Sequence, residues 1–465
     1  MSRKQQLLKR HRRNKRVGVL IGLALLVVIG VWVAWWLPLV LGVLAWVAHE
    51  AWFADHLFYA PGEDYRYRFA ADAEVAGVRL DAGLLRVDQP LDSAATLVLA
   101  VTVKSTWLGR FFDPVVAILG GESPDRQAFE RGVNGVRYLN LSGLASVIAA
   151  GELRVRGRFC AVQGVPRLWA WDNPDYAAQR VMVIAPHADD AELAAFGLYS
   201  QAHTPWIVTL TAGEIEAEHY QHMGLAPAEA ARLKGRLRAW DSIAVPRWAG
   251  VPEAQCVQLG YFCLQLPAMR ATPDQPVASR EAELGDVRLF RQFNAFPLPA
   301  DRDGSPTWNN LLADLRQLLL TARPEVIVLP HPVLDPHPDH ICAQQAVMEA
   351  LAGLEWQPTS VLGYANHLHD NDRWPMGDSG TGIALPPQFD DTLELHPCSL
   401  PLSLAQQRDK AMALGMMHDL QPAAPLKRRV RRWLQRILAG RSRSPYGENE
   451  FFRKAVRRHE LFWRL

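Results

Sequence analysis

Residues 17–48, Val17 to Ala48, carry no charged side chain. A signal peptide's apolar region runs only about 7–15 residues before a small-residue cleavage site. This longer, Trp-containing segment therefore reads as a membrane anchor. As one straight helix at ~1.5 Å per residue it would reach about 48 Å, well beyond a hydrocarbon core of ~30 Å. It either tilts as one long span or folds as a tight hairpin, with Trp35, Trp36 and Pro38 at the turn. From about Asp64 to Asp172 the pattern changes to short strands at 65–70, 96–107, 136–141 and 153–162, punctuated by Gly, Pro and Asp. These predict a β-sandwich or jelly-roll-like accessory domain. After Asn173, wholly apolar runs at 181–185, 206–210 and 326–330 alternate with helical stretches at about 226–244 and 308–322. That alternation predicts an α/β fold with a doubly wound parallel sheet, whose site lies in the loops at the strand C-terminal ends. Finally, Val430, Trp433, Leu434, Ile437 and Leu438 recur at helical spacing with arginines on the opposite face, which predicts an amphipathic helix.

Charge changes this picture more than composition does. The formal net charge is +2, from 50 Lys+Arg against 48 Asp+Glu. Eight of the basic residues lie in 1–16 and eight more in 427–443, and neither segment holds an acid. The rest carries 34 basic against 48 acidic side chains, or −14. Positive charge before Val17 places the N-terminus in the cytoplasm. A hairpin would keep the remainder there, and a single pass would export it. The second basic run suits an anionic membrane surface, and with an anchor present and an acidic body between the two ends it argues against nucleic acid. Five cysteines in 465 residues exclude a disulfide scaffold. The expected organisation is a basic cytoplasmic tail (1–16), an anchor (17–59), the strand-rich domain (64–173), the α/β domain (174–426) and a basic amphipathic segment (427–465).

The candidate chemistry sits at two strand ends. Pro186-His187-Ala188-Asp189-Asp190-Ala191-Glu192 follows the run 181–185, and His331-Pro332 with Asp335-Pro336-His337-Pro338-Asp339-His340 follows the run 326–330. Imidazole and carboxylate are good ligands for a divalent transition metal, and catalytic zinc takes three protein ligands and leaves a position for water. No nucleophile elbow, Walker loop or Cys-x-x-Cys pair competes with this reading.

These two motifs resemble those of the PIG-L/LmbE zinc-dependent de-N-acetylases over about residues 178–425. Thr211-Ala212-Gly213-Glu214 is similar to the family's Thr-x-Gly-Glu turn, and His418 to its late His-x-x-Gln segment. The resemblance implies a Rossmann-like sheet, with Zn2+, or another divalent transition metal such as Fe2+, on His187, Asp190 and His340. It implies Asp189 as general base and His337 as a protonated partner of the oxyanion. Asp339, counted with the catalytic set, would orient an imidazole. Ala188 replaces the family's usual Pro, Leu193–Gly197 replaces its Gly-rich continuation, and Arg238 is a substrate or structural residue.

The implied function is removal of acetyl from an N-acetylhexosamine unit of a membrane-associated glycan or glycolipid, such as a lipopolysaccharide core or lipid-linked sugar. The expected place is a bacterial inner (cytoplasmic) membrane. Membrane lipid is a further partner, through the anchor and the basic helix. Two rival readings are a non-catalytic glycan-binding or envelope-assembly protein on the same fold, and a deacetylase of a small GlcNAc conjugate.

Overall fold

The computed structural model describes residues 3–54, 61–121, 124–369, 371, 373–421, 425–442 and 444–465. Residues 1–2 of the basic tail, 55–59 of the expected anchor and Arg443 of the basic segment lie outside the described residues, as do the side chains of Arg3 and Lys4.

The apolar N-terminal segment is two helices, Arg3–Trp32 and Leu37–Ala48, the second continued by a π-helical turn His49–Phe53. The break at residues 33–36 brings Pro38 back onto Gly30, where a Cβ would stand 3.0 Å from Pro38 Cγ. The single 48 Å helix is thus not formed. The stretch Leu8–Trp32 is long and apolar enough to cross a membrane, as an anchor or as a signal sequence, while Leu37–Phe53 is shorter.

Two antiparallel sheets follow. Their strands are β1 (Glu74–Val75), β2 (Arg79–Asp81), β3 (Leu84–Arg86), β4 (Thr96–Ser105), β5 (Val115–Leu119), β6 (Asp125–Ala128), β7 (Asn134–Asn140), β8 (Arg154–Arg158) and β9 (Cys160–Trp171). The orders are β1-β9-β4-β7 and β2-β3-β8-β5-β6. Leu97, Leu99 and Val101 of β4 meet Val116, Ile118 and Val155 of the facing sheet in a closed core. The run expected at 153–162 is split at Phe159, whose φ of 60° turns the chain from one sheet into the other. The stretch 65–70, expected as a strand, makes one bridge only, Arg68 to Glu394. Its backbone bonds go to separate partners, Tyr65 N to Val136 O and Arg66 N to Gln388 O.

The other face of β4 is also buried. Val98 and Ala100 join Tyr138, Trp169 and Trp171 in a cluster with Leu334, Ala365, Leu461 and Trp463 of the α/β part. Polar bonds stitch the same boundary, with Asn140 Nδ2 donating to Ser399 Oγ (2.7 Å) and Ser399 N to Thr96 Oγ1 (2.8 Å). Burying an aromatic or large aliphatic side chain stabilises by roughly 1.5–3 kcal/mol, so this boundary is a core shared by the two parts.

The α/β sheet is built from β10 (Arg180–Ala185), β11 (Thr204–Thr211), β12 (Cys256–Tyr261), β13 (Val326–Pro330), β14 (Ser360–Tyr364), β15 (His396–Pro401) and β16 (His459–Arg464), in the order β12-β11-β10-β13-β14-β16-β15. The strands β10 to β14 are parallel, and β16 runs antiparallel to both its neighbours. Apolar clusters cover both faces, with helices Asp190–Tyr199 and Leu404–Met416 on one and Trp308–Ala322 and Pro338–Ala352 on the other. The strand order reverses between β10 and β13, the switch point at which open α/β sheets bind ligands. The segment 427–465 is amphipathic only as far as the helix Leu426–Ala439; it continues through Glu450–Ala455 into β16, a buried strand of the sheet. The end of the expected basic amphipathic segment is therefore a strand of the sheet.

Candidate functional site

Neighbouring strands β10 and β13 carry the two motifs to one crevice. After Ala185 the chain turns through Pro186 to Asp189 and enters the helix Asp190–Tyr199. Thr211, at the end of the next strand, holds this turn by donating to Pro186 O through both its N (3.0 Å) and Oγ1 (2.8 Å). Asp189 has φ 116°, a left-handed conformation uncommon outside glycine. Such strain costs of order 1–3 kcal/mol and survives only where the surroundings impose it. Here Arg238 imposes it, donating to Ala188 O (2.6 Å) and reaching Asp189 Oδ1 at 3.4 Å. Arg238 is itself fixed by Asp419, which Lys234 also meets at 3.0 Å.

Gly213 leaves the path for that arginine. A Cβ there would lie 2.3 Å from Arg238 Nε. Glu214 accepts from Cys263 N (3.1 Å) and Ser279 Oγ (2.7 Å), locking the loop that follows β12. Arg238 thus holds Asp189 in place. His418 reaches Asp241 through Nδ1 at 2.6 Å and is not among the clustered imidazoles.

The motif residues converge on one carboxylate oxygen. Asp190 Oδ2 stands 3.2 Å from His187 Nδ1 and 3.2 Å from His340 Nε2. Each imidazole presents its other nitrogen to a second carboxylate: His340 Nδ1 to Asp335 Oδ2 at 2.9 Å, and His187 Nε2 to Asp339 Oδ2 at 3.2 Å. Asp339 therefore orients His187. Asp335 is a hub that also accepts from His337 N, Asn366 N and His367 N. His337 packs against His187 and His340, with ring centroids 5.0 and 4.8 Å apart. The donor atoms of His187, His337 and His340 all lie within 4.8 Å of one another, as do those of His187, Cys263 and Asp339. His331 stands apart, its Nδ1 accepting from Val333 N and Leu334 N. Glu192 faces away too, bonded to Tyr199 O–H at 3.1 Å.

The charges are strongly coupled to burial. Burial works against a proton on His340, but Asp190 and Asp335 outweigh it and raise the imidazole to about 9. Burial likewise opposes ionised Asp190, yet His340 and His187 hold it well below its ordinary value. Burial, opposed by Arg238 and reinforced by Asp190, pushes Asp189 up to about 7. Burial and the neighbouring His340, His187 and His367 push His337 down to about 4. Burial and these neighbours thus favour the neutral form of His337, whose imidazole can still offer a hydrogen bond.

The residues fit a metal. His340 Nε2, His337 Nδ1 and Asp339 Oδ1 are buried without a hydrogen-bond partner, a condition costing about 1–3 kcal/mol per group. Nitrogen and oxygen ligands held ~2.0–2.2 Å from one tetrahedral ion stand roughly 3.3 Å apart, close to the spacings around Asp190 Oδ2. The field that favours protons on His187 and His340 equally favours a cation between them.

Sequence reasoning missed Asn366 and His367. Asn366 Nδ2 donates to Asp190 Oδ1 at 2.8 Å, and His367 stacks on His337 with centroids 5.2 Å apart. Both follow β14, the apolar run Ser360–Tyr364 ending in polar residues, which was their one available signal.

Comparison with known proteins agrees with these motifs. Residues 182–351 match the family model described as PIG-L, GlcNAc-PI de-N-acetylase. Among solved structures, the chain is similar to the conserved protein TT1542 from Thermus thermophilus, at 20% identity over 61% of this chain and 93% of that one, with a TM-score of 0.29. It is similar to GalB, the 4-carboxy-2-hydroxymuconate hydratase from Pseudomonas putida, at 15% identity over 55% and 83%, TM-score 0.31. It is also similar to a triple mutant of a deacetylase of the teicoplanin biosynthetic pathway, at 16% identity over 61% and 97%, TM-score 0.32. No curated protein matches the chain. The matched segment spans both histidine motifs and the switch point between them, and residues 182–351 form a PIG-L/LmbE-like de-N-acetylase family domain.

Proposed function

We propose that this chain is a zinc-dependent hydrolase that removes the N-acetyl group from an N-acetylhexosamine unit of a membrane-associated glycan or glycolipid. The observation that carries the reading is Asp190 Oδ2 set 3.2 Å from both His187 Nδ1 and His340 Nε2, with Asp189 beside it. His187, Asp190 and His340 would hold the ion. When bound, zinc supplies a lowered pKa for a water and polarisation of the amide carbonyl.

The rest is the work of the chain's own side chains. Asp189, held by Arg238, takes the proton of the attacking water as its oxygen adds to the acetamide carbon. His337 donates a hydrogen bond to the carbonyl oxygen as charge develops there. The C–N bond then breaks, the proton passes from Asp189 to the leaving amine, and acetate and a free amino sugar remain. Asp335 and Asp339 keep the two ligand imidazoles in register, as the outer partners of metal ligands commonly do.

We place the protein at a bacterial inner membrane with the α/β domain on the cytoplasmic side. The break between the two apolar helices at residues 33–36, with Pro38 against Gly30, and the basic N-terminal helix support this placement.

The test is acetate release from N-acetylhexosamine conjugates by the purified full chain, with metal content measured alongside. Asp189→Asn is expected to retain the metal and lower kcat by about 10²–10⁴. No acetate from any such conjugate, with Asp189→Asn indistinguishable from the parent, overturns the reading.

A further inference from the structure

The helix Leu426–Ala439 has two faces with different partners. Leu434, Gln435 and Ala439 are buried, and Arg431 Nε pairs with Glu50 at 2.6 Å in the turn where the second apolar helix ends. On the opposite side Leu426, Trp433 and Ile437 are 74%, 61% and 58% exposed, with Val430 in the same stripe. Lys427, Arg429 and Arg436 flank them, also exposed, and no acid occurs between residues 426 and 442.

A second segment of the same make adjoins it. A Cβ on Gly440, which ends the helix, would lie 3.8 Å from Phe112. Arg441 reaches Asp113 at 3.3 Å, Asp113 accepts from Arg131 at 2.7 Å, and Arg131 donates to Trp52 O at 3.1 Å. This chain of bonds ties the segment that carries the exposed Trp107, Leu108, Arg110 and Phe111 to the end of the helix and to Trp52, next in sequence to the exposed Phe53.

We infer that these three segments, remote in sequence, form one docking surface for an anionic phospholipid leaflet. Two observations select lipid as the occupant. The helix is tied to the end of the exposed apolar helices at Glu50, and the 107–113 segment is tied to Trp52 through Arg131, so a phase that receives residues 17–53 lies next to both. Its composition, tryptophan and aliphatic side chains among arginine and lysine, is that of an element lying in the headgroup region. An apolar patch of this kind is otherwise uncommon on a soluble surface.

The inference does not depend on the deacetylase reading.

The full chain reconstituted in lipid nanodiscs tests it. The five native cysteines are buried, so a fluorescent thiol probe can be placed by Trp433→Cys, Trp107→Cys, Trp35→Cys or Leu320→Cys, all at exposed positions. With lipids carrying a quencher near the headgroup and about 30% anionic lipid, probes at 433 and 107 are expected to be quenched about threefold more than at 320. The excess is expected to fall by about half at ~0.5 M salt, and also with Lys427→Glu, Arg429→Glu and Arg436→Glu combined. Quenching at 35 but none in excess at 433 and 107 overturns the docking surface while leaving the anchor intact. Quenching at none of the three overturns membrane seating altogether. Quenching that ignores anionic lipid, or a probe at 433 that answers only to nucleic acid or an acidic protein, overturns the lipid assignment.

Discussion

The two halves of the seven-stranded sheet are built by different rules. From β10 to β13 the chain alternates strand and helix in register, and every proposed ligand arises there, at the ends of two adjacent parallel strands. From β14 onward the sheet is completed by distant chain: β16 enters between β14 and β15, running antiparallel to both. Its Glu460 spans the halves. Gly197 N and Leu198 N, released by the kink at Ala195 in the helix that starts at Asp190, donate to Glu460 at 2.8 and 2.9 Å. Lys410 neutralises the same carboxylate at 2.8 Å. The first half holds the reacting groups, and the second decides how firmly they are held.

If that division is right, breaking the second half should cost stability before it costs chemistry. Glu460→Ala leaves Lys410, 1% exposed, without its partner and frees two backbone donors. The expected loss is about 3–5 kcal/mol in denaturant unfolding, and Lys410→Met in the same chain should restore part of it. Asn366→Ala removes the bond to Asp190 Oδ1 and should lower metal affinity about 10–100-fold, measured by competition with a chelator, with little change in unfolding. An unchanged affinity would confine the metal's support to the first half.

The smallest effect sharpens the assignment of Asp189. Burial raises the Asp189 carboxyl to about 7 even with Arg238 pulling it down. Removing the positive charge in Arg238→Met raises that pKa further. A base must be ionised to act, so the acid limb of kcat/KM should move to higher pH, while Arg238→Lys, keeping the charge, should move it less. A limb that shifts downward or not at all removes Asp189 from the role of base.

Much of the first half was legible in the sequence because its strands are buried on both faces and read as unbroken apolar runs: 181–185, 206–210 and 326–330 fall within β10, β11 and β13. The helix 308–322 is bounded as expected, with Thr307 capping it. The second half was not legible, for a physical reason. His459, Glu460 and Arg464 make β16 look like surface chain, yet their partners are Ser142 O, Lys410 and Asp172 O, all remote in sequence. Polar residues satisfied by distant chain carry no local pattern. The same holds for Asn366 and His367, whose meaning depends on Asp190 and Asp335. The strand domain was legible as strands but not as a partner. The burial of β4 on both faces shows in its long apolar run, while the identity of the second face, with Trp463 and Ala365, does not.

One feature of β16 bears on the order of events during synthesis. A chain emerging from the ribosome can form β10, β11, β12 and β13 as soon as residue 330 is free, and can bring the two histidine clusters together once residue 340 has followed. The sheet then waits with an open edge at β14, and the helix carrying Asp190 keeps two unpaired donors, until residue 464 has been made. Edge strands left open are templates for wrong pairing. For the length of chain between residues 364 and 464 the nascent protein thus carries an open sheet edge beside both histidine clusters, and insertion of β16 closes it.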